Sequence, residues 1–466
     1  MEKVKLGFVP LHRDLFDEAW AVEMRERCLK AFSKLDEIEV IAPSEDLIKN
    51  GLVRDRGDAI KVIRLFENAD VAGIIIGTMT FGNEMAGLKV AEAFTDRPLL
   101  VFGTKEGPFT PEGGRRSDSF CGTLSLTSGL YRRGIDFEFA GIAFPEEESF
   151  LNKVREFARV CYIVNEFRGA RIALVGPRPE TFETCTFNEM ALVNNFGQEV
   201  VHVSLAEVIE GVQKLSDEDE EVRKTVEEIK RITEHSDVSE DSLKRIAKLE
   251  VVLRRLANDK NVSVMAFKCW PEIEEILGIV PCFVLGRLTD SGLITACESD
   301  VYGALSMLIQ YLASMKSIPP HFIDWTIKHQ SKENTFLAWH CGNAPPSLVK
   351  GGERIKLTKH MLWEKVLGGD KSQGTGEFQL KPGVVTICRL AEEDGGFKML
   401  ITKGRIVESS DKLRGSWSWV EVPDLDHLYE TLVKEGFTHH ASLIHGDYVE
   451  VLKKACRFLG IEVIEV

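Results

Sequence analysis

The sequence lacks an apolar run long enough to cross a membrane. Such a span needs roughly 18 or more consecutive apolar residues, and none occurs here. The N-terminal segment, MEKVKLGFVPLHRD, has an apolar stretch that is too short and too broken for a signal peptide, and it is typical of a strand. We therefore predict a cytoplasmic protein that does not act at a membrane.

Clusters of basic residues and paired cysteines are also missing. The formal net charge is -15, with the acidic excess spread along the chain. Because phosphate binding needs clustered Lys and Arg, nucleic acid is not an expected partner. The ten cysteines include no CxxC pair, and several lie in apolar runs, as in VVTICRL (384–390). Buried free thiols are therefore expected, rather than a disulfide framework or a zinc ribbon.

What the sequence does contain is an alternation of strand and helix patterns. Apolar runs separated by helical periodicity predict a parallel sheet with helices on both faces. A second series of this kind starts near residue 170. After about residue 318, Gly, Thr and β-branched residues increase, and turns join short strands, which is typical of an antiparallel sheet or barrel. The runs of the first series are 4–10, 38–43, 71–77, 98–103 and 137–144.

The predicted fold class is therefore α/β with a β-rich end. We expect two doubly wound, Rossmann-like α/β domains, at residues 1–168 and 169–318. A β-rich, antiparallel barrel-like domain follows at residues 319–466.

Histidines are concentrated in the last part of the chain, where eight of the eleven follow residue 320. Histidine is the commonest neutral metal ligand and also carries protons. Histidines at the surface or in the core of a β-rich domain would give the same count. The clustering therefore needs support from neighbouring residues.

Two carboxylates lie in positions typical of a site. Glu298 follows the apolar strand LITAC and precedes a helical pattern, and open α/β sheets bind ligands at that end of a strand. A helix cap would explain it equally, and Asp300 could fill that role instead. Asp324 lies in HFIDWTIKH, where an acid among apolar residues needs a partner. A buried salt bridge or a turn cap is the alternative for Asp324.

The remaining candidates are histidines at strand ends. His340 closes the apolar run FLAWH, and GNAPP then predicts a turn. His439 and His440 begin a predicted strand, so only one of the two is expected to face a given site.

These residues carry a resemblance to the L-fucose isomerase family, which is related to the L-arabinose isomerases. ACESDVYGALS, FIDW and THHASLIHGD occur in the order of that family's metal-binding segments. The resemblance implies that Glu298, Asp324 and His440 bind Mn²⁺ or another divalent ion. It also implies that His340, followed by CGNAP, is a possible fourth ligand.

The resemblance extends to substrate contacts and assembly. GTMTFGNEM (77–85) is similar to a family loop that reaches the sugar of a neighbouring subunit, and GPRPETFETCTFNE (176–189) also resembles a loop of the family. The resemblance implies that the sugar is contacted by His340, Asn343, Met79 and Arg13. It also implies a homo-oligomer, a hexamer or a trimer. Met79 stands where the fucose isomerases have Trp, so the identity of the sugar stays open.

The implied reaction is aldose–ketose isomerisation of a small sugar through an enediol. Glu298 and Asp324 would be both ligands and the proton-transfer pair, and the sequence does not assign the base. Two carboxylates, an imidazole and open positions suit a hard octahedral ion. A non-catalytic sugar-binding protein of the same fold, or a metal-dependent sugar epimerase or aldolase, remains the alternative.

Overall fold

The fold is taken from a computed structural model that describes residues 3–466. Met1 and Glu2, which belong to the first predicted domain, lie outside the described residues. The chain divides into two compact units: unit 1 is Met1–Glu166 with Arg457–Leu459, and unit 2 is Phe167–Cys456 with Gly460–Val466. The predicted three-domain division at residues 168 and 318 stays a prediction.

The strands are β1 (Val4–Leu11), β2 (Ile38–Ile41), β3 (Gly73–Thr78), β4 (Leu99–Thr104), β5 (Glu138–Ala143), β6 (Arg171–Val175), β7 (Glu199–Val203), β8 (Thr233–Glu234), β9 (Val264–Phe267), β10 (Ile294–Ala296), β11 (His321–Lys328), β12 (Thr335–His340), β13 (Ile355–Lys359), β14 (Gln373–Gln379), β15 (Gly383–Glu393), β16 (Gly396–Ile406), β17 (Ser416–Glu421), β18 (His440–His445) and β19 (Ile461–Glu465).

The α-helices are α1 (Glu18–Phe32), α2 (Arg56–Ala69), α3 (Glu84–Ala93), α4 (Ser119–Arg132), α5 (Glu148–Phe167), α6 (Glu189–Phe196), α7 (Leu205–Lys214), α8 (Glu220–Ile232), α9 (Glu240–Asp259), α10 (Glu272–Leu277), α11 (Cys282–Asp290), α12 (Val301–Ala313), α13 (Trp363–Leu367), α14 (Leu425–Lys434) and α15 (Val449–Leu459). Short 3-10 helices cover Lys49–Gly51, Glu183–Cys185, Pro346–Leu348 and Gly369–Lys371.

Unit 1 is built on a parallel five-stranded sheet with the order β2-β1-β3-β4-β5. The strand GIIIGT (β3) is buried along its whole length, as expected for a parallel strand covered by helices on both faces. Gly122 of α4 allows the helix to approach the loop after β3 directly. A Cβ there would lie 1.7 Å from the Phe81 carbonyl oxygen.

Unit 2 combines a parallel sheet with a larger mixed sheet. The parallel sheet has the order β10-β9-β6-β7. In the ten-stranded mixed sheet, the order β16-β15-β18-β11-β12-β17 is closed by pairing of β16 with β17. These six strands pair antiparallel throughout and form a closed barrel. The predicted fold class is confirmed: Rossmann-like parallel sheets are followed by an antiparallel barrel.

No helix in the described part of the chain, residues 3–466, is both long and apolar enough to span a bilayer.

A buried ion pair joins two helices beside the parallel sheet of unit 2. Arg287 of α11 donates to both carboxylate oxygens of Glu250 of α9, at 2.6 and 3.1 Å. The Glu250 side chain is fully buried and that of Arg287 is 8 % exposed. Arg287 also donates to Glu228 at 3.1 Å, but Glu228 is 38 % exposed, so removing Glu250 leaves the buried guanidinium with only this weaker partner.

We expect Glu250→Gln to destabilise unit 2 by about 3 kcal/mol, because Arg287 would lose its main counter-charge while staying buried. A lower urea midpoint for the transition that reports unit 2 is the measurement. Glu210→Gln is the control, because Glu210 forms an exposed i,i+4 pair with Lys214. Equal midpoints for the two variants would contradict the expectation.

Candidate active site and metal centre

Three predicted ligands meet where the barrel and the parallel sheet of unit 2 adjoin. In the β11–β18 pair, Asp324 lies directly opposite His440, which places both side chains on one face. Glu298 comes from the turn after β10, and its Oε2 lies 2.9 Å from His440 Nε2. Asp324 Oδ1 lies 3.6 Å from the same nitrogen.

His340 and His439 also reach this cluster. His340 is the last residue of β12, and one ligand atom each of Asp324, His340 and His440 lies within 4.8 Å of the others. Glu298, His439 and His440 form a second such group. The prediction that only one of the two adjacent histidines could face the site is wrong. Because β18 begins at His440, His439 precedes the strand and escapes its alternation.

The turn that carries Glu298 has an uncommon backbone. Glu298 and Ser299 both adopt left-handed conformations, with φ of 60° and 54°. The Ser299 hydroxyl donates to the carbonyls of Gly176 and Pro177, at 3.2 and 3.3 Å. Asp300 then caps α12 by accepting from Gly303 N at 2.8 Å. The cap alternative raised by the sequence is therefore real for Asp300, while Glu298 is free to face the cluster.

Burial and charge shift the pKa of each acid in a different direction. Burial, with repulsion from Glu298, raises the pKa of Asp324 to about 7 despite the opposing His440. Burial also favours a raised pKa for Glu298, but the nearby imidazoles, above all His440, lower it below the usual range. The two acids therefore differ in basicity although they share a neighbour.

The pKa values of His340 and His440 are also shifted in opposite directions. Burial lowers the pKa of His340 to about 3, so this ring is neutral. Burial also works against a charge on His440, but its hydrogen bond to Asp300 and the carboxylate of Glu298 hold the pKa of His440 well above the ordinary value. Without a bound cation, the centre of the cluster is thus an imidazolium between carboxylates.

A cavity of about 280 Å³ opens on the cluster at Glu298 and His340. It is near the lower end of the roughly 300–1,000 Å³ of ligand pockets. Trp270 packs edge to face on Phe182 at 5.6 Å, lies 5.7 Å from Trp363, and donates from Nε1 to Glu298 Oε1 at 3.4 Å. No Lys or Arg lines this cavity in the described chain. Its lining is Phe182, Cys269, Trp270, Glu274, Cys282, Cys297, Glu298, His340, Cys341, His360, Leu362, Trp363 and Val366.

A larger cavity, of about 650 Å³, lies at the carboxyl ends of β6 and β7. It touches the neighbourhood of the cluster only through Cys185 and Ser299, and it contains none of the predicted ligands. The smaller cavity is therefore the candidate substrate site.

The other predicted contacts lie elsewhere. Asn343 is buried, but it is not among the residues that line the smaller cavity. Met79 is fully buried in unit 1, and Arg13 of unit 1 lies with its guanidinium 4.4 Å from the centre of the Phe81 ring. The roles of these residues stay predictions.

Comparison with known proteins supplies the family. The family model described as fucose/sulfoquinovose isomerase, N-terminal domain, matches residues 7–168. That described as L-fucose isomerase, C-terminal domain, matches residues 338–466. Together they cover well over half of the chain. The chain belongs to the L-fucose isomerase family. This family member is an isomerase that acts in sugar metabolism.

Relatives with related names support this family assignment. The isomerase is 24% identical over 467 residues to the sulfoquinovose isomerase of Priestia aryabhattai, covering 99% of both chains. It is 27% identical to the sulfoquinovose isomerase of Clostridium sp. (strain MSTE9), over 84% of this chain and 85% of the relative. The L-arabinose isomerase of Thermotoga petrophila is 21% identical, over 68% of this chain and 64% of the relative.

Several residues of the site gave no usable sequence signal. Arg389 lies 89 positions from Asp300, yet it pairs with Asp300 behind His440. Trp363 and Phe182 join the aromatic wall of the smaller cavity. For Phe182, the one available indication was the resemblance of the loop 176–189 to a loop of the family.

The strained turn gives a prediction about Ser299. Ser299→Ala loses the two hydrogen bonds but keeps a side chain at positive φ. Ser299→Gly loses the same bonds and relieves the left-handed strain of roughly 1–2 kcal/mol. We therefore expect the Gly variant to be the more stable of the two by about 1 kcal/mol, measured as denaturant midpoints. A less stable Gly variant would show that the turn is not strained.

Proposed function

We propose that this isomerase interconverts the aldose and ketose forms of sulfoquinovose, a hexose with a sulfonate group, and that it requires a divalent cation, with Mn²⁺ as the expected ion. The observation that carries the proposal is the convergence of Glu298, Asp324 and His440 beside an aromatic-walled cavity, which Glu298 and His340 line. The substrate is taken from the names of the relatives that match along most of the chain.

The donor set fits a metal ion. His440 Nε2, Asp324 Oδ1 and His340 Nδ1 are buried and make no hydrogen bond. Nε2 of His440 also lies 2.9 Å from Glu298 Oε2, so the two groups form an ion pair when the ring is charged. Buried polar atoms are normally satisfied, so several unsatisfied atoms in one place support a shared cation. Carboxylate oxygens and imidazole nitrogens suit Mn²⁺ better than they suit a soft ion. Of the three groups of converging ligands in the described chain, the two that contain Glu298 or Asp324 have no thiol, and Cys185 belongs to the third, with Asp300 and His440.

The chemistry follows from the residues around this point. A bound divalent cation would polarise the sugar carbonyl and stabilise negative charge on the neighbouring oxygen. Isomerisation moves one proton between C2 and C1, and one between the two oxygens, with no net gain or loss of atoms. Glu298 and Asp324 supply carboxylates of different basicity for removing and returning the carbon-bound proton. Trp270, Phe182 and Trp363 limit the access of water and offer apolar faces to the sugar ring.

The sulfonate needs a positive partner, which the lining of the small cavity lacks. Arg13 is predicted to contact the substrate, and its guanidinium lies 4.4 Å from the centre of the Phe81 ring. A guanidinium binds an oxyanion by paired hydrogen bonds. Supply of Arg13 by a neighbouring subunit would agree with the homo-oligomer that the family resemblance implies.

A panel of aldoses that includes sulfoquinovose, glucose, fucose and arabinose tests the proposal, with the metal-free protein assayed before and after addition of Mn²⁺. We expect sulfoquinovose to give its ketose most efficiently, and only with the metal. Efficient conversion of an uncharged sugar, with none of sulfoquinovose, would overturn the substrate. Full activity in the presence of a strong chelator would overturn the metal.

Glu298→Gln tests the site within the same assay. We expect turnover to fall by about 100-fold or more at saturating Mn²⁺, because the variant loses a charge and a proton acceptor while keeping its shape. Folding should be retained, as judged by circular dichroism. The matched control is Glu430→Gln, an exposed acid paired with Lys434 on α14. Near-normal turnover of Glu298→Gln would exclude that residue from the chemistry.

The assembly is tested by sedimentation at assay concentration. If unit 1 completes the site of another subunit, the active species should be a trimer or hexamer, and a dilution-induced monomer should be inactive. A fully active monomer would refute the shared site and leave the metal assignment untouched.

A further inference from the structure

The side of His440 that faces away from Glu298 is held by a second, buried charge pair. His440 Nδ1 lies 2.8 Å from Asp300 Oδ2. Asp300 in turn accepts from Arg389, with Nη1 to Oδ2 at 2.5 Å and Nη2 to Oδ1 at 3.1 Å. All three side chains are at most 3 % exposed. The Cys185 thiol also lies beside this group.

This arrangement determines which ring nitrogen is available. An ionised carboxylate can only accept a hydrogen bond, so the hydrogen in the Asp300 contact belongs to Nδ1 of His440. In the neutral ring, Nε2 then carries the lone pair. Nε2 is also the nitrogen that faces Glu298 and Asp324 and makes no hydrogen bond. Asp300 therefore selects the tautomer that a cation at the cluster needs.

Arg389 fixes the position of Asp300 from the barrel side. It lies on β15, next to β18, which carries His440. Its two hydrogen bonds leave the carboxylate no freedom to rotate, and the Gly303 amide occupies Oδ1 as well. Through Arg389, Asp300 thus links the end of the parallel sheet to the barrel, and it also orients one ligand, His440.

We propose that Asp300, held by Arg389, is a positioning residue that presents Nε2 of His440 to the metal ion; this rests on the metal site of the proposed function. The competing explanation is that Asp300 serves only as the cap of α12 and as a buried counter-ion. The two explanations differ in their effect on metal affinity, since a cap and a counter-ion support the helix without acting on the histidine tautomer.

The variant Asp300→Asn distinguishes the two explanations. Asn is also a good cap, so Oδ1 can still accept from Gly303. The amide nitrogen of Asn, however, cannot accept the hydrogen bond from Nδ1 of His440, which Oδ2 of Asp300 accepts in the wild type. We expect the affinity of the metal-free protein for Mn²⁺, measured by electron paramagnetic resonance of the free ion, to fall by about 10- to 100-fold. Raised Mn²⁺ should restore most of the turnover of this variant.

Two further proteins complete the test. Asp424→Asn removes a cap carboxylate from α14, where Asp424 accepts from His427 N, and it should bind Mn²⁺ like the wild type. Arg389→Lys keeps the positive charge but cannot make the two parallel hydrogen bonds to Asp300, so we expect a several-fold weaker affinity for Mn²⁺. This variant tests the positioning role if Asp300→Asn does not fold.

Affinity of Asp300→Asn within twofold of the wild type would overturn the positioning role. If Asp300→Asn does not fold, unchanged affinity of Arg389→Lys would do so. A wild type that binds no Mn²⁺ would instead overturn the proposed metal site itself, which distinguishes the two failures.

Discussion

The contact between two neighbouring strands of the barrel determines the rest of the site. Asp324 and His440 face each other across the β11–β18 pair, so a slip of one residue would send one of them to the opposite side of the sheet. Because both strands are hydrogen-bonded on both sides, their register is fixed by their neighbours in the barrel rather than by one turn. An acid and an imidazole are thereby kept together in spite of the cost of burying them.

The parallel sheet contributes the third component through a short turn. Glu298, Ser299 and Asp300 are consecutive, and each has a separate role. Glu298 faces the cluster, Ser299 anchors the turn to the loop after β6, and Asp300 caps α12 beneath His440. Two left-handed residues in succession are unfavourable, and the surrounding contacts must hold them. One short turn therefore supplies both the candidate ligand Glu298 and Asp300, the residue that supports the ligand His440.

The sequence was sufficient to predict the fold class and to single out Glu298, Asp324 and His440, which lie together in the structure. Periodicity revealed both parallel sheets and the change to turn-linked strands. It could not reveal Arg389 behind Asp300, because that contact depends on how the parallel sheet meets the barrel, and no local pattern encodes this. Nor did it show that His439 reaches the cluster. The alternation of a strand does not extend to His439, since β18 begins at His440.

Closure of the six-stranded barrel has a dynamic consequence. The strands that carry Asp324, His340 and His440 are interior members of a ring without free edges. Their amide hydrogens cannot become exposed by fraying at an edge, so exchange with solvent requires the whole ring to open. We therefore expect the amide hydrogens within these strands to exchange more slowly than those of the surrounding loops.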